Sequence, residues 1–308
     1  MAEKIKIIFL GTSGAISSPE RNHPAILLIH NGENILIDCG EGTQTQFKKA
    51  RISAFKLTKL LITHWHGDHV LGIPGLLQTL SFSNYNKTLR IYGPRGIKNH
   101  FDNVLRAFPS VLVSDLRKDL RIEVFEAYKK FIDEKDFCVE AFPVSHGIPS
   151  NGYCFYERDK IMIDKKKLKK FGIKPGKHLA ELKRGKDMVF NGRKYKLKDL
   201  TFKKSGKKIC VVMDGIYELG IVPFIKNSDL LIMEATYSHD IADLAKQHKH
   251  RTARQCAEIA KKSRAKKLVL THLSDRYSKN PDALLQEARK IFKNTSIELK
   301  VQNLLREN

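Results

Sequence analysis

His64-Trp65-His66-Gly67-Asp68-His69 places four candidate metal ligands within six residues, directly behind the apolar run Leu60-Leu61-Ile62. Imidazole nitrogen and carboxylate oxygen are donors that zinc and similar divalent ions accept. Residues 59–62 form a short apolar run that reads as a buried strand ending where the ligands begin. Gly67 is expected to let the backbone turn sharply, so that neighbouring side chains converge instead of alternating outward. On this reading His64 and His66 serve one metal, and Asp68 and His69 serve a second beside it. A solvated, tag-like histidine tract would need neither the preceding strand nor the carboxylate.

The rest of the chain sets limits on what this loop can serve. At 308 residues with 42% hydrophobic content, a large core is available, and we expect a single α/β domain over residues 1–308. Lys and Arg number 56 against 33 Asp and Glu, a formal charge of +23, which favours a polyanionic partner. No apolar stretch approaches a membrane span, and Met1-Ala2-Glu3-Lys4 leads straight into a strand, so a soluble, cytoplasmic protein is expected. The cysteines Cys39, Cys138, Cys154, Cys210 and Cys256 are odd in number and widely spaced, which predicts buried thiols and neither a disulfide framework nor a thiolate zinc site.

Strands are predicted at 5–10, 25–29 and 34–38, the last two joined by an Asn31-Gly32 hairpin turn. A helix starts near 42–43, another covers 72–81, and a third covers 97–107, between strands at 89–92 and 121–125. Further strands are predicted at 137–144, 208–212, 230–234, 267–270 and 297–301, with helices at 253–262 and 281–292. Such a mixture indicates an α/β layer protein. Residues 158–208 break the pattern: 20 Lys and Arg stand against 5 Asp and Glu, so one sixth of the chain carries 15 of the 23 net charges. This segment reads as an inserted arm suited to phosphates, whose neutralisation releases counterions.

Four ligands from one loop cannot close two metal sites, so more must come from downstream. Three candidates each follow a strand-like run: His146 in Phe142-Pro143-Val144-Ser145-His146-Gly147, Asp214 in Val212-Met213-Asp214-Gly215, and His272 in Leu270-Thr271-His272-Leu273-Ser274. Ligands placed at strand ends share one rim of a sheet, where distant segments converge.

Taken together, this ligand set is similar to that of the metallo-β-lactamase superfamily, and within it the chain resembles the ribonuclease Z family of tRNA 3′-processing endonucleases. The resemblance extends to Phe9-Leu10-Gly11-Thr12-Ser13-Gly14, Asp38-Cys39-Gly40-Glu41-Gly42-Thr43, Thr271-His272-Leu273-Ser274-Asp275-Arg276-Tyr277 and the basic insertion. It implies an αβ/βα four-layer sandwich with a tRNA-gripping arm at 158–208. It also implies two zinc ions per chain, precursor tRNA as substrate, and a homodimer whose arm holds tRNA for the other subunit; the same ligands also accept manganese or iron. His64, His66 and His146 would hold one ion, Asp68, His69 and His272 the other, and Asp214 would bridge them. Asp38 would support the metal loop through hydrogen bonds, or simply end a strand.

The same resemblance implies that Asp68 accepts the proton of the attacking water, that His250 donates one to the leaving oxygen, and that Glu234 orients His250. Lys174, Lys177, Lys183 and Arg184 of the arm, and Arg276 beside His272, would contact phosphate. His248 is expected to be a surface residue. Two positions depart from the family. Ser17-Ser18-Pro19-Glu20-Arg21-Asn22 keeps only the Arg-Asn end of the usual Pro-x-Lys-x-Arg-Asn loop. Arg251 stands where a small hydroxyl residue is usual, and is expected to assist phosphate binding. The implied activity is removal of the 3′ trailer from precursor tRNA, leaving a tRNA 3′-hydroxyl and a trailer 5′-phosphate. A general zinc phosphodiesterase acting on small diesters, or a non-catalytic nucleic-acid-binding subunit, would keep the fold without that activity.

Overall fold

Apolar residues fill both faces of the N-terminal strands, the pattern of a sheet covered on both sides. In the computed structural model, which describes residues 5–83, 85–108 and 120–297, these strands are β1 (Lys6–Gly11), β2 (Ala25–His30) and β3 (Glu33–Ile37). Asn31 and Gly32 take φ of 47° and 81°, as the tight turn joining β2 to β3 requires. β4 (Leu57–Leu61), β5 (Thr88–Gly93) and β6 (Arg121–Glu126) follow in parallel, giving six strands in chain order.

Next come β7 (Lys129–Asp133), β8 (Phe137–Pro143) and β9 (Asn151–Glu157). The basic segment contributes four short strands, β10 (Lys160–Ile163), β11 (Met188–Phe190), β12 (Arg193–Tyr195) and β13 (Thr201–Lys204). β14 (Lys208–Val212), β15 (Leu230–Glu234), β16 (Leu268–Thr271) and β17 (Thr295–Ile297) complete a second sheet in the order β17-β16-β15-β14-β9-β8-β7.

The period-2 alternation of side chains sets the layers. Leu27, Leu36, Leu60 and Ile91 face one way and pack with Phe47, Leu76, Leu80 and Phe101 from the helices Thr43–Lys49, Ile73–Ser81 and Ile97–Ala107. Burying each such leucine contributes about 2 kcal/mol. Leu28, Ile35, Ile37 and Leu61 face the other way and line a narrow gap with Val139, Tyr153, Ile209 and Val211 of the second sheet. The Tyr153 hydroxyl donates to the Ile62 carbonyl at 2.6 Å, tying the sheets together. Beyond the second sheet, helix Ala253–Lys262 buries Cys256, Ala257, Ile259 and Ala260 against β15 and β16. Helix, sheet, sheet and helix therefore stack as the four-layer sandwich expected from the sequence.

The described residues divide into two compact units. The larger, which carries most of both sheets, comprises the described residues of 5–133, 139–155 and 208–297; the smaller comprises Glu134–Cys138 and Tyr156–Lys207. The smaller unit has its own core of Leu168, Ile173, Leu182, Met188, Tyr195 and Leu200. β10 pairs with β13, and β11 pairs with β12 through an Asn191-Gly192 turn with φ of 49° and 74°. Asp164 caps its helix Lys165–Lys170 by accepting the Lys166 and Lys167 backbone N–H groups at 3.0 and 3.1 Å.

The expectation of five thiols is corrected. Cys154 of β9 and Cys210 of β14 form a disulfide, with 4.2 Å between their Cα atoms. Their strands are sheet neighbours across an excursion of 56 residues, a proximity that sequence spacing cannot reveal. The predicted closing strand is seen at Thr295–Ile297, while residues 298–301 lie outside the described residues. Among the described residues, no helix is long and apolar enough to cross a membrane.

Candidate metal centre

The carboxyl ends of the parallel strands deliver the ligands to one rim. Ile62 and Thr63 follow β4 and lead into His64; Asp214 lies two residues beyond β14, Glu234 ends β15, and His272 follows β16. Register aligns the last three, because Val212 pairs with Met233 and Glu234 with Thr271.

Gly67 does not act as the sequence suggested. It opens a short helix, Gly67–Val70, without a positive φ, and this helix carries Asp68 and His69 back over the strand end. The close approach occurs at Gly72 instead, where a Cβ would lie 2.0 Å from the Gly40 carbonyl oxygen.

The side chains converge in two clusters that share one carboxylate. His64, His66, His146 and Asp214 form the first, and Asp68, His69, Asp214 and His272 the second; the ligand atoms in each lie within 4.8 Å of one another. His66 Nδ1 is 3.1 Å from both His64 Nε2 and His146 Nε2. Asp214 Oδ2 is 3.6 Å from His64 Nε2, 3.7 Å from His146 Nε2 and 3.5 Å from His69 Nε2. Asp214 Oδ1 is 3.2 Å from His272 Nε2, which is itself 3.1 Å from Asp68 Oδ2. Bonds of about 2.0–2.1 Å to a tetrahedral ion would place ligand atoms roughly 3.3 Å apart, so the clusters have the spacing such an ion needs. Asp214 Oδ1 is buried and accepts no hydrogen bond, which a cation would remedy.

The surrounding hydrogen bonds fix the imidazole tautomers. His69 Nδ1 donates to Asp38 Oδ2 at 2.8 Å, and His146 Nδ1 donates to the Lys249 carbonyl at 3.0 Å. His272 Nδ1 donates to the Thr236 hydroxyl at 2.9 Å, and His64 Nδ1 to the Thr63 hydroxyl at 3.1 Å. Each then presents an Nε2 lone pair to the cluster, the arrangement of a metal-ligating histidine. Asp38 also accepts from the Thr63 backbone N–H at 2.7 Å and hydroxyl at 2.8 Å. Thr63 and Thr236 were not foreseen; their only sequence signal is that they lie next to His64 and two residues from Glu234.

A third cluster joins Asp214 and His272 to Glu234 and His250. His250 Nδ1 donates to Glu234 Oε2 at 3.0 Å, and the imidazole is 15% exposed. Burial pulls the His250 imidazole down, but the charge and hydrogen bond of Glu234, then Asp214 and Asp68, outweigh it and raise it to about 9. Burial would raise the Asp68 carboxyl, yet hydrogen bonds and charge from His272 and His69 hold it well below the ordinary range. Asp214 is likewise held well below, with His272 and His69 outweighing its burial.

Arg251 contradicts its expected role. Its side chain is wholly buried, donates from Nη1 to the Met213 carbonyl at 2.9 Å and lies 3.6 Å from Glu234 Oε1. It cannot reach a substrate phosphate, because it occupies the space beside Gly215, where a Cβ would sit 2.6 Å from Nη2. His248 is exposed and bonds to the Tyr237 hydroxyl through Nδ1 at 2.8 Å. Arg276 is exposed beside the rim, 6.0 Å from the Tyr237 ring centroid. Lys174, Lys177, Lys183 and Arg184 are exposed on the smaller unit, and Arg184 pairs with Glu181 at 2.6 Å. The Arg-Asn end of the altered loop is anchored, Arg21 to the Ser278 hydroxyl at 2.9 Å and Asn22 to the Glu41 carbonyl at 2.7 Å.

Ribonuclease Z of Pyrococcus horikoshii is 42% identical to this sequence, over 89% of this chain and 88% of that one. The chain belongs to the ribonuclease Z family. The crystal structure of the short form of human tRNase Z is similar too, with 31% identity and a TM-score of 0.66 over 88% of this chain and 93% of that one. The Bacillus subtilis metallo-β-lactamase fold protein YhfI, at 18% identity, a TM-score of 0.68 and 97% of both chains, shares the fold. A family model described as anti-Pycsar protein Apyc1 matches residues 5–166, just over half of the chain. As in the ribonuclease Z family at large, metal ions are implied, and the two clusters fit them.

Proposed function

We propose that this protein is a zinc-dependent endoribonuclease that removes the 3′ trailer from precursor tRNA. The observation that carries the reading is the convergence of seven ligand side chains with a Glu234–His250 pair on one rim of a ribonuclease Z family chain. When bound, two zinc ions would acidify a shared water and neutralise phosphate oxygens. His64, His66 and His146 would hold one ion, Asp68, His69 and His272 the other, and Asp214, common to both clusters, would serve each.

The water attacks phosphorus in line, and the bond to O3′ of the upstream nucleotide breaks. Asp68, whose Oδ2 lies 3.1 Å from His272 Nε2 at the second cluster, accepts the proton of the water. His250, kept charged by Glu234, gives its Nε2 proton to the departing O3′. The products are a tRNA 3′-hydroxyl and a trailer 5′-phosphate. Exposed Lys174, Lys177, Lys183 and Arg184 of the smaller unit, and Arg276, contact phosphates of the tRNA. The working assembly is a homodimer in the cytoplasm, the former a matter for light scattering.

Incubating zinc-loaded protein with an end-labelled tRNA precursor, with and without chelator, tests this. Chelator-sensitive cleavage giving a 3′-hydroxyl and a 5′-phosphate is expected; failure of the loaded protein to cut would overturn it. A second reading, hydrolysis of small phosphodiesters, draws on the family model ending at residue 166, before most of the basic segment. Deleting residues 165–190 separates the two, since tRNA cleavage alone should be lost.

A further inference from the structure

Next to the metal rim lies a cavity of about 200 Å³ whose lining includes Trp65, His66, Pro94, Arg95, His100 and Ile148. His66 belongs to both places, since its Nδ1 is 3.1 Å from His64 Nε2 and His146 Nε2 while its ring borders the cavity. Whatever fills this space therefore touches a residue of the first cluster. The Trp65 indole stacks on the His100 imidazole, with centroids 5.1 Å apart and planes at 15°, forming a flat aromatic step. Among the described residues no carboxylate lines the cavity, and the exposed Arg95 brings a guanidinium to it.

Flat aromatic faces, apolar walls and one guanidinium suit a heterocyclic base attached to a phosphate. The volume falls below the roughly 300–1,000 Å³ of sites for larger ligands, and so suits a single ring system.

We propose that this cavity is a base-binding subsite, which takes the nucleobase adjoining the scissile phosphate onto the Trp65–His100 step while Arg95 meets that nucleotide's phosphate. The subsite builds on the endonuclease reading, supplying it with a positioning element close to the reacting bond. None of its aromatic or cationic groups belongs to the basic segment, so it acts on the cut end independently of the arm.

Trp65 is the only tryptophan in the chain, so its fluorescence reports on the cavity directly. The zinc-loaded protein is titrated with a short single-stranded RNA and with the same RNA made abasic. Base-dependent quenching is expected, and His100→Ala should weaken binding of the intact RNA by about 5- to 150-fold, the range for loss of one stacked base. His100 is exposed and is not a ligand, so zinc content should be unchanged. In cleavage assays, precursors carry an abasic nucleotide immediately 5′ or 3′ of the cut. One of them should lose as much kcat/KM as His100→Ala does, with no further loss when the two changes are combined. The proposal is overturned if intact and abasic RNA quench Trp65 alike. It is equally overturned if His100→Ala lowers kcat/KM by one common factor on all three precursors. Base-dependent quenching by a protein that cuts no precursor would sink the endonuclease reading and leave the subsite standing.

Discussion

Replacing Glu234 with Gln changes one oxygen for an NH2 group and should be among the most costly single changes at the site. The carboxylate is wholly buried and accepts four hydrogen bonds. Oε1 takes the backbone N–H groups of Gly215 at 2.8 Å and Arg251 at 3.2 Å; Oε2 takes the Thr236 hydroxyl at 2.6 Å and His250 Nδ1 at 3.0 Å. Oε1 faces two backbone N–H donors and Oε2 faces the His250 N–H beside a hydroxyl that can turn to accept, so either orientation of a glutamine amide sets its NH2 against at least one donor. Losing one or two hydrogen bonds to a charged acceptor, at about 1.5–3 kcal/mol each, predicts a destabilisation of about 1.5–6 kcal/mol. At roughly 2–4 °C per kcal/mol for a chain of this class, Tm should fall by about 10 °C.

The functional effect should exceed what the stability loss explains. An unheld His250 can no longer deliver its proton to the leaving oxygen, and a positioned general acid contributes about 10²–10⁴-fold. Single-turnover cleavage well below Tm, with zinc content verified, would compare a normal precursor with one carrying sulfur in place of the bridging 3′ oxygen. A thiolate leaves without a proton, so Glu234→Gln should slow the normal substrate at least 100-fold and the sulfur substrate less than 10-fold. Equal slowing of both substrates would refute the assignment of His250 and Glu234 to leaving-group protonation.

Asp214→Asn should lower the metal content per chain, because both clusters lose the same carboxylate; elemental analysis showing an unchanged content would contradict the shared ligand. Changing the exposed Lys165, Lys166, Lys169 and Lys170 to Gln should weaken tRNA binding. The slope of log K against log salt should then shrink by about 0.7–0.9 for each phosphate no longer neutralised, and an unaltered slope would remove this helix from the interface. Replacing both Cys154 and Cys210 with Ala opens a closed loop of 56 residues and should cost about 4 kcal/mol on the chain-entropy estimate. Five titratable thiols in the denatured, unreduced protein would show that the bond is absent.

Much of the framework was legible because parallel strands buried on both faces leave continuous apolar runs. Leu230–Glu234 and Lys208–Val212 fall where the sequence places them, as do the helices Ile97–Ala107 and Ala253–Lys262. β7 and β9 were missed for the opposite reason. Lys129–Asp133 is a largely exposed strand with little apolar signal, and Asn151–Glu157 opens with Asn-Gly, which reads as a turn. In the basic segment, lysines mask the scattered Leu168, Leu182, Met188 and Leu200, whose common core arises from chain reversals of a few residues rather than from any helical or strand period.

Arg251 shows where the reading of a site from adjacent residues stops. Its neighbour His250 is partly exposed at the rim, and a cation one residue away was expected to share that surface. At the turn before helix Ala253–Lys262, however, Arg251 is wholly buried beside its partly exposed neighbour, immediately ahead of the N-cap Thr252. Its guanidinium lies in the interior, where the absent side chain of Gly215 leaves room and Glu234 supplies countercharge. One carboxylate thereby receives the imidazole from the solvent side and the guanidinium from the core side. A small hydroxyl residue at this position could not supply that second cation, so in this chain the acid–base pair is held from both directions, and the strength of that grip is what Glu234→Gln measures.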